Sequence, residues 1–108
     1  MQTICIKTKI KPGHIEKVRL WFRTLLERRD ETLETLRNEG VVVESAFIDK
    51  QGDDLYLIYY MKAENIDKAY EVFTKSTSPI DLYHKDCWKK HCEGAKSPAC
   101  SWVEHNNS

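Results

Sequence analysis

Two histidines and two cysteines lie within ten residues near the end of the chain, in the segment YHKDCWKKHC at positions 83–92. If this segment is helical, His84, Cys87 and His91 share one face, because they are three and four residues apart. Imidazole nitrogen and thiolate sulfur are ligands that zinc accepts in proteins. Three ligands on one helix do not close a zinc site, however, and the sequence contains no CxxC or HxxxH pair. Metal binding through these residues is therefore the third of the functions that we consider.

The same residues could act without a metal. His84 could donate or accept a proton near neutral pH, or it could be a core histidine whose hydrogen bonds are satisfied. Cys87 could be a nucleophile with a histidine as its base, but a thiol on an apolar helical stripe is more often a small core residue. The sequence therefore favours Cys87 in the core and keeps His84 as a candidate acid or base.

A charged residue interrupts the apolar stripe of the long helical pattern that follows residue 13. Arg29 lies one turn after Leu25 and one turn before Leu33, near the middle of that stripe. A buried arginine has to be paired, because a lone charge is costly to remove from water. Three interpretations follow: the helix bends or the guanidinium reaches solvent, Arg29 belongs to a structural ion pair, or it binds a carboxylate, phosphate or enolate of a ligand.

Glu44 is the only acid within the apolar strand pattern VVVESAF, on the same predicted face as Ala46 and Ile48. A carboxylate at this position should be paired with a cation such as Arg29, or it should carry a raised pKa. A carboxyl group with a raised pKa is a candidate general base, and a structural pair is the alternative. Tyr60 on the neighbouring strand is a candidate hydrogen-bonding wall of the same cleft.

Seven elements of secondary structure are predicted from the hydrophobic periodicity and from the residues that interrupt it. A strand at 1–10 is ended by KPG, and the long helix that follows is ended near residue 39 by Gly40. The remaining elements are a hairpin with strands at 41–49 and 55–61, helices at 64–75 and from Ser78 to near Gly94, and a strand at 99–105. Residues 106–108 are expected to fray, so that residues 1–105 form one domain.

This order of elements predicts an α+β fold, namely a ferredoxin-like βαββαβ arrangement with an extra helix before the last strand. A single layer of helices covers only one face of an antiparallel sheet, whereas the hairpin sequence is apolar on both faces. Val43 and Phe47 belong to one face, and Ala46 and Ile48 belong to the other. An exposed apolar face of this kind predicts a partner, and the simplest is a second copy of the chain, packed sheet against sheet as a homodimer.

Two stretches of the sequence resemble known families. IKPGHIEKVRLWFRTL is similar to the strand–KPG–long helix opening of the dimeric α+β barrel (antibiotic-biosynthesis-monooxygenase-like) superfamily. Residues 27–88, with EGVVVESAF, YLIYYMKA and SPIDLYH, resemble a small family of uncharacterised bacterial proteins of that shape. The resemblance implies this fold and a dimer. It assigns no activity, because the wider superfamily includes monooxygenases, haem-degrading enzymes, dehydratases, isomerases and ligand-sensing domains.

The composition argues against several classes of function. Seventeen basic residues balance seventeen acidic ones, so no overall field attracts nucleic acid or an anionic membrane. No apolar run approaches the roughly 18–20 residues that cross a bilayer, and the start of the sequence lacks the apolar core of a signal peptide. The four glycines form neither a phosphate loop nor a dinucleotide turn. A cytoplasmic location is expected.

The leading hypothesis from the sequence is a cleft between helices and sheet that binds a small organic anion without a cofactor. Arg29 and Tyr60 would bind the ligand, and Glu44 or His84 would move a proton in an isomerisation, a dehydration or a cofactor-free oxidation. The alternative is a non-catalytic homodimer that is structural or binds a small molecule, in which Arg29 and Glu44 form only a buried pair. The sequence itself names neither the ligand nor the reaction.

Overall fold

The computed structural model describes residues 1–98, which form an α+β fold as predicted. The predicted last strand at 99–105 and the predicted frayed tail at 106–108 lie outside these residues. In chain order the elements are β1 (Gln2–Ile10), α1 (Ile15–Glu27), α2 (Arg29–Glu39), β2 (Val41–Gln51), β3 (Asp54–Ala63), α3 (Ile66–Lys75), α4 (Pro79–His91) and β4 (Cys92–Pro98).

The strands of the described chain form one antiparallel sheet in the order β2-β3-β1-β4. A two-residue turn, Gly52 and Asp53, joins β2 to β3, because Gln51 pairs with Asp54. Gly52 has a φ of 63°, a left-handed conformation that favours glycine at the first central position of such a turn. The length of this turn sets the register of the whole hairpin.

The register of the β2–β3 hairpin decides which side chains face the helices. Partners on neighbouring antiparallel strands point to the same side of the sheet, and Glu44 pairs with Met61 while Ala46 pairs with Tyr59. Met61 is buried in the core, so Glu44 and Tyr59 lie on the covered face. A register shift at the start of β2 leaves Val42 exposed, although simple alternation would place it on the face of Glu44.

The prediction of one unbroken helix up to residue 39 is wrong, because the helix is interrupted at Arg28. There the backbone has φ −96° and ψ 45°, outside the helical range, and α2 begins at the next residue. Thr32 compensates for the interruption, since its Oγ1 lies 2.9 Å from the carbonyl oxygen of Leu25 and 3.0 Å from that of Arg28. After the break Arg29 is exposed, whereas Thr35 lines the interior.

The end of the last helix also differs from the prediction. α4 ends at His91 rather than near Gly94, and Cys92 already begins β4. Pairing with β1 explains this early end, because it provides partners for the backbone of this segment. Thr8 on β1 adds a hydrogen bond from its hydroxyl to the carbonyl oxygen of Glu93 at 2.9 Å.

The core lies between the helices and one face of the sheet. Trp21, Val18 and Leu57 are fully buried there, and Cys87 is buried beside them as predicted. The opposite face, which we call the open face, carries exposed apolar side chains, and Phe47 is 57% exposed. The hairpin is therefore apolar on both faces, as predicted. Within the described chain, no helix combines the length and the apolar character needed to cross a bilayer.

Candidate functional site

A cavity of about 200 Å³ lies between the covered face of the sheet and the helices α2, α3 and α4. Much of its wall is apolar, and a few polar groups converge in it, as is typical of small-molecule sites. The polar and ionisable side chains that line it are Thr32, Thr35, Glu39, Glu44, Tyr59, Tyr70, Thr74, Asp81, His84 and Trp88. Among the described residues that line the cavity, none is a lysine or an arginine.

Glu44 enters this cavity from β2. Burial, together with the negative charges of Glu39 and Asp81, raises the pKa of Glu44 to about 8. This raised pKa is what the sequence predicts for an unpaired carboxyl group on the covered face. At neutral pH the group is therefore mostly protonated. A neutral carboxylic acid in an apolar site can donate a hydrogen bond or a proton to a ligand oxygen.

Three polar side chains from α2 and α4 are hydrogen-bonded to one another at one end of the cavity. Thr35 Oγ1 lies 2.6 and 2.7 Å from the two carboxylate oxygens of Asp81, and 3.1 Å from Glu39 Oε2. Asp81 is 3% exposed and Glu39 is 9% exposed. Burial raises the pKa of Glu39 to about 7, against the effect of the Thr35 hydrogen bond and with a further increase from Asp81. At neutral pH both the protonated and the ionised form of Glu39 are therefore present.

His84 is held among aromatic side chains. The fully buried Trp21 donates its indole N–H to His84 Nδ1 at 2.9 Å. An indole nitrogen can only donate, and the Trp21 contact is the shorter of two indole contacts with this ring, so we assign Nδ1 as the unprotonated acceptor and the hydrogen of the neutral ring to Nε2. Nε2 lies 3.3 Å from the hydroxyl of Tyr59 and 3.4 Å from Trp88 Nε1, whose N–H can donate to Nε2 only in the other tautomer. In the assigned tautomer His84 donates to the Tyr59 oxygen, and Tyr59 can direct its own hydroxyl hydrogen to a ligand.

A larger groove of about 810 Å³ runs between the helices α1 and α2 and the sheet. Its floor is mostly apolar, and its basic side chains are Arg19, Arg23 and Arg29. The groove and the cavity have several lining residues in common, so they are adjacent spaces. The shared residues are Leu25, Thr32, Leu36, Glu44 and Tyr59.

Arg29 lines this groove and is exposed. Within residues 1–98, no ion pair joins Arg29 to Glu44 or to another acid. The interpretation of Arg29 and Glu44 as a buried structural pair is therefore wrong for the described chain, and the interpretation that the helix bends there is correct. The two residues nevertheless line the same groove, as the hypothesis of a ligand site requires.

Tyr60 does not lie in the wall of the cavity or of the groove. It alternates along β3 with Tyr59 and Met61, which face the helices, so its side chain points to the open face of the sheet. The expected role of Tyr60 in the cleft is therefore not supported, and its neighbour Tyr59 occupies that position. The sequence contained a signal for this difference. Counting back from a two-residue turn places Glu44 on the face of Tyr59 rather than on that of Tyr60.

The residues considered for a metal site have different partners. His91 Nδ1 lies 3.1 Å from His14 Nδ1, whereas His84 is bonded to Trp21. Burial raises the pKa of the Cys87 thiol, which favours the neutral thiol over the thiolate that binds metals. In the part of the chain that the structure describes, no three His, Cys, Asp or Glu side chains are placed to hold a metal ion.

Three residues of the cavity were missed by reasoning from the sequence: Thr35, Glu39 and Asp81. Glu39 lies in the last turn of α2 and Asp81 in the first turn of α4, where acids usually contact solvent. One signal was available, because Thr32, Thr35 and Glu39 are three and four residues apart and therefore share a helical face. This face points inward only because the helix is interrupted at Arg28, and no residue of the sequence predicts that interruption.

The fold and the site define a small α+β protein with a carboxyl-lined cavity beneath a layer of helices. Residues 1–104 match the model of a family described as "Family of unknown function (DUF6176)", and the chain belongs to this family. This match confirms the expectation that the chain belongs to an uncharacterised family. No protein with a curated description matches the sequence.

Proposed function

We propose that this protein binds a small organic anion in the joined groove and cavity and catalyses proton transfer on it without a cofactor. One observation carries this proposal. Glu44, whose pKa is about 8, lines both the cavity that contains Glu39 and the groove that contains Arg29. A carboxyl group with a raised pKa, placed between an apolar cavity and a groove with basic side chains, is a favourable arrangement for acid–base chemistry.

The groove supplies the means to bind an anionic group. Arg29 and Arg23 line it, and both are exposed; Arg19 lines it too but contacts Glu16 at 3.6 Å. A guanidinium group binds a carboxylate or phosphate through paired hydrogen bonds. The cavity, by contrast, contains carboxyl groups and no described cation. The anionic group of the ligand therefore belongs in the groove, and its uncharged reacting part belongs in the cavity.

The two glutamates of the cavity can divide the roles of acid and base, because their pKa values differ. Glu44, mostly neutral at pH 7, donates its proton to a carbonyl oxygen of the ligand. The ionised fraction of Glu39, whose pKa is about 7, accepts a proton from the neighbouring carbon. Tyr59, oriented by His84, adds a hydrogen bond to the same oxygen. The product is an enol, so keto–enol isomerisation and dehydration next to a carbonyl are the reactions within reach.

A second candidate function is a non-catalytic homodimer that binds a small molecule or has a structural role. The hydrogen bond from Trp21 to His84 favours it, because His84 is then a core histidine with a satisfied Nδ1. The cavity would still bind a ligand in this case, but Glu44 and Glu39 would exchange no proton with it.

The proposal for the architecture has two parts: the fold is ferredoxin-like, and two copies pack with their open faces together as in a dimeric α+β barrel. The antiparallel order β2-β3-β1-β4, with helices between β1 and β2 and between β3 and β4, supports the first part. The exposed Val43 and Phe47 on the open face support the second part, because a partner would remove them from water.

Ligand binding measured by NMR tests the proposed function. Phenylpyruvate is a suitable probe, because it combines a carboxylate, an apolar ring and a carbonyl group that can enolise. We expect it to shift the amide signals of Glu44 and Tyr59, and we expect Arg29→Gln to weaken its binding by about tenfold. Arg37→Gln is the matched control, since Arg37 is exposed on the same helix and lines neither space. Equal binding by the two variants would contradict the proposed role of the groove.

A further inference from the structure

Thr35 and Asp81 separate the cavity from a second pocket at the surface. This surface pocket has a volume of about 220 Å³ and lies where α2, α3 and α4 meet. Thr35, Ile80 and Asp81 line both the cavity and the surface pocket. The surface pocket is otherwise mostly polar, with Glu31, Glu34, Asn38, Ser76 and Ser78 in its wall. The two shared polar side chains therefore lie between these two spaces, both of which are partly open to solvent.

The contacts of Thr35 with two carboxyl groups depend on a single hydroxyl hydrogen. Its Oγ1 lies 2.6 and 2.7 Å from the oxygens of Asp81 and 3.1 Å from Oε2 of Glu39. A hydroxyl group has one hydrogen, so Thr35 can donate to only one of the two carboxyl groups at a time. The contact with the other is a hydrogen bond only if that carboxyl group is protonated and donates to Thr35. A protonated Glu39 donates to Thr35, and Thr35 donates to Asp81, which satisfies all three groups.

We propose that Thr35 relays protons between Glu39 in the cavity and Asp81 beside the surface pocket. In the outward direction the Glu39 proton moves to Thr35 Oγ1 while the hydroxyl proton of Thr35 moves to Asp81. A solvent water in the surface pocket then accepts the proton from Asp81. The hydroxyl group of Thr35 is regenerated in each passage, and the inward direction reverses the same transfers. The role of the relay rests on the proposed function, since it removes the proton that Glu39 takes from a ligand.

Charged groups of both signs lie around the relay. The titratable groups that face it in the cavity are Glu44 on β2, Tyr70 on α3 and His84 on α4. Those in the surface pocket are Glu31 and Glu34 on α2, and Glu31 is paired with Arg28 at 2.7 Å. Arg28 offsets the charge of Glu31, and Lys85 on α4 donates to the carbonyl oxygen of Ser76 in the wall of the surface pocket at 2.9 Å, so cations also lie beside this pocket.

The relay can be tested on the protein without a ligand, so that its failure is distinguishable from failure of the proposed function. The infrared signal of the protonated Glu39 carboxyl group, identified by its loss in Glu39→Gln, is followed after a rapid pH jump. The jump crosses the pKa of Glu39, which is about 7. Thr35→Val removes the hydroxyl group at nearly constant shape, and Thr35→Ser keeps it. Thr74→Val is the control, because Thr74 lines the same cavity outside the relay.

We expect Glu39 to lose its proton about tenfold more slowly, or slower still, in Thr35→Val than in wild type. Thr35→Ser and Thr74→Val should retain the wild-type rate. Retention of the rate in Thr35→Ser would show that the slow proton loss in Thr35→Val comes from the missing hydroxyl group. An unchanged rate in a folded Thr35→Val variant overturns the relay. If that variant does not fold, Asp81→Asn replaces it, since the amide cannot accept the proton, and an unchanged rate in Asp81→Asn overturns the relay equally.

Discussion

The indole nitrogen of Trp21 lies 2.9 Å from Nδ1 of His84, and this contact determines where the histidine carries its hydrogen. Trp88 places a second indole nitrogen 3.4 Å from Nε2, but the shorter Trp21 contact assigns Nδ1 as the acceptor, so Nε2 bears the hydrogen and faces the hydroxyl of Tyr59 at 3.3 Å. Trp21 on α1 thereby sets the tautomer of His84 on α4, and His84 in turn orients the hydroxyl group of Tyr59 on β3 toward the cavity. Hydrogen bonds in such a chain also strengthen one another.

The tautomer of His84 is a direct prediction of this contact. Nitrogen NMR spectra of the wild-type protein at neutral pH should place the hydrogen on Nε2 and none on Nδ1. In Trp21→Phe the indole of Trp88, which faces Nε2 at 3.4 Å, is the remaining indole donor, so we expect the hydrogen to shift toward Nδ1. A hydrogen on Nδ1 in the wild-type protein would show that the Trp21–His84 bond does not have the geometry described above.

Adjacent tyrosines should respond differently to loss of their hydroxyl groups. Tyr59→Phe removes the acceptor beside His84 Nε2, and we expect the free energy of unfolding to fall by about 1 kcal/mol. Tyr60→Phe removes a hydroxyl group from the open face, and the change should stay within about 0.5 kcal/mol. Urea unfolding of the two variants and of wild type measures both values. Equal losses would argue against the placement of Tyr59 in the cavity.

The stability of the protein should depend on pH through Glu44. Its pKa is raised from 4.5 to about 8 on folding, so the folded protein holds this proton more tightly than the unfolded protein. The resulting stabilisation is complete below the unfolded pKa and is lost as the pH rises to about 8. Glu44→Gln stays neutral throughout, so its stability relative to wild type should increase across this window, by up to about 1.4 kcal/mol per pH unit.

Urea unfolding at a series of pH values measures this difference. Glu64→Gln is the control, because Glu64 is exposed and outside the cavity, and this variant should follow the wild-type profile. Parallel profiles of Glu44→Gln and wild type would mean that the carboxyl group of Glu44 is not held in its protonated form by the fold.

The proposed homodimer predicts a specific effect at the open face. Phe47 is 57% exposed in the single chain, and replacing it with lysine would place a charge within a sheet-to-sheet interface. We expect sedimentation to report a dimer for wild type and a monomer for Phe47→Lys. Leu82→Lys should remain a dimer, because Leu82 is 50% exposed on α4, away from the open face. A monomeric wild-type protein at micromolar concentration would exclude the packing that we propose.

Much of the fold follows from local signals in the sequence. Gly40 ends α2 because it adopts the left-handed conformation, with a φ of 73°, that a helix end requires. Gly52 makes the hairpin turn for the same reason, and Pro79 begins α4 at a position where its missing N–H has no cost. Each of these signals depends only on residues that are neighbours in the chain. The α+β class and the strands β1, β2 and β3 could therefore be predicted.

The site was harder to predict, because it depends on contacts between distant residues. No glycine or proline marks the interruption at Arg28, where the hydroxyl group of Thr32 lies within hydrogen-bond distance of the carbonyl oxygens of Leu25 and of Arg28 itself. Once α2 has turned, Thr35 meets Asp81, 46 residues further along the chain. Periodicity in a single helix could not identify this pair, and it placed Arg29 in the apolar stripe rather than on the rim of a groove.

The exchange of ligand hydrogens with solvent tests the proposed function most directly. Phenylpyruvate is incubated in deuterated buffer with wild type, Glu44→Gln or Glu64→Gln, and NMR follows the hydrogens next to its carbonyl group. We predict that wild type and Glu64→Gln exchange these hydrogens at least about 100-fold faster than Glu44→Gln. If the wild-type protein binds phenylpyruvate but exchanges its hydrogens no faster than buffer alone, proton transfer in this cavity is contradicted and the non-catalytic binding protein is the correct description.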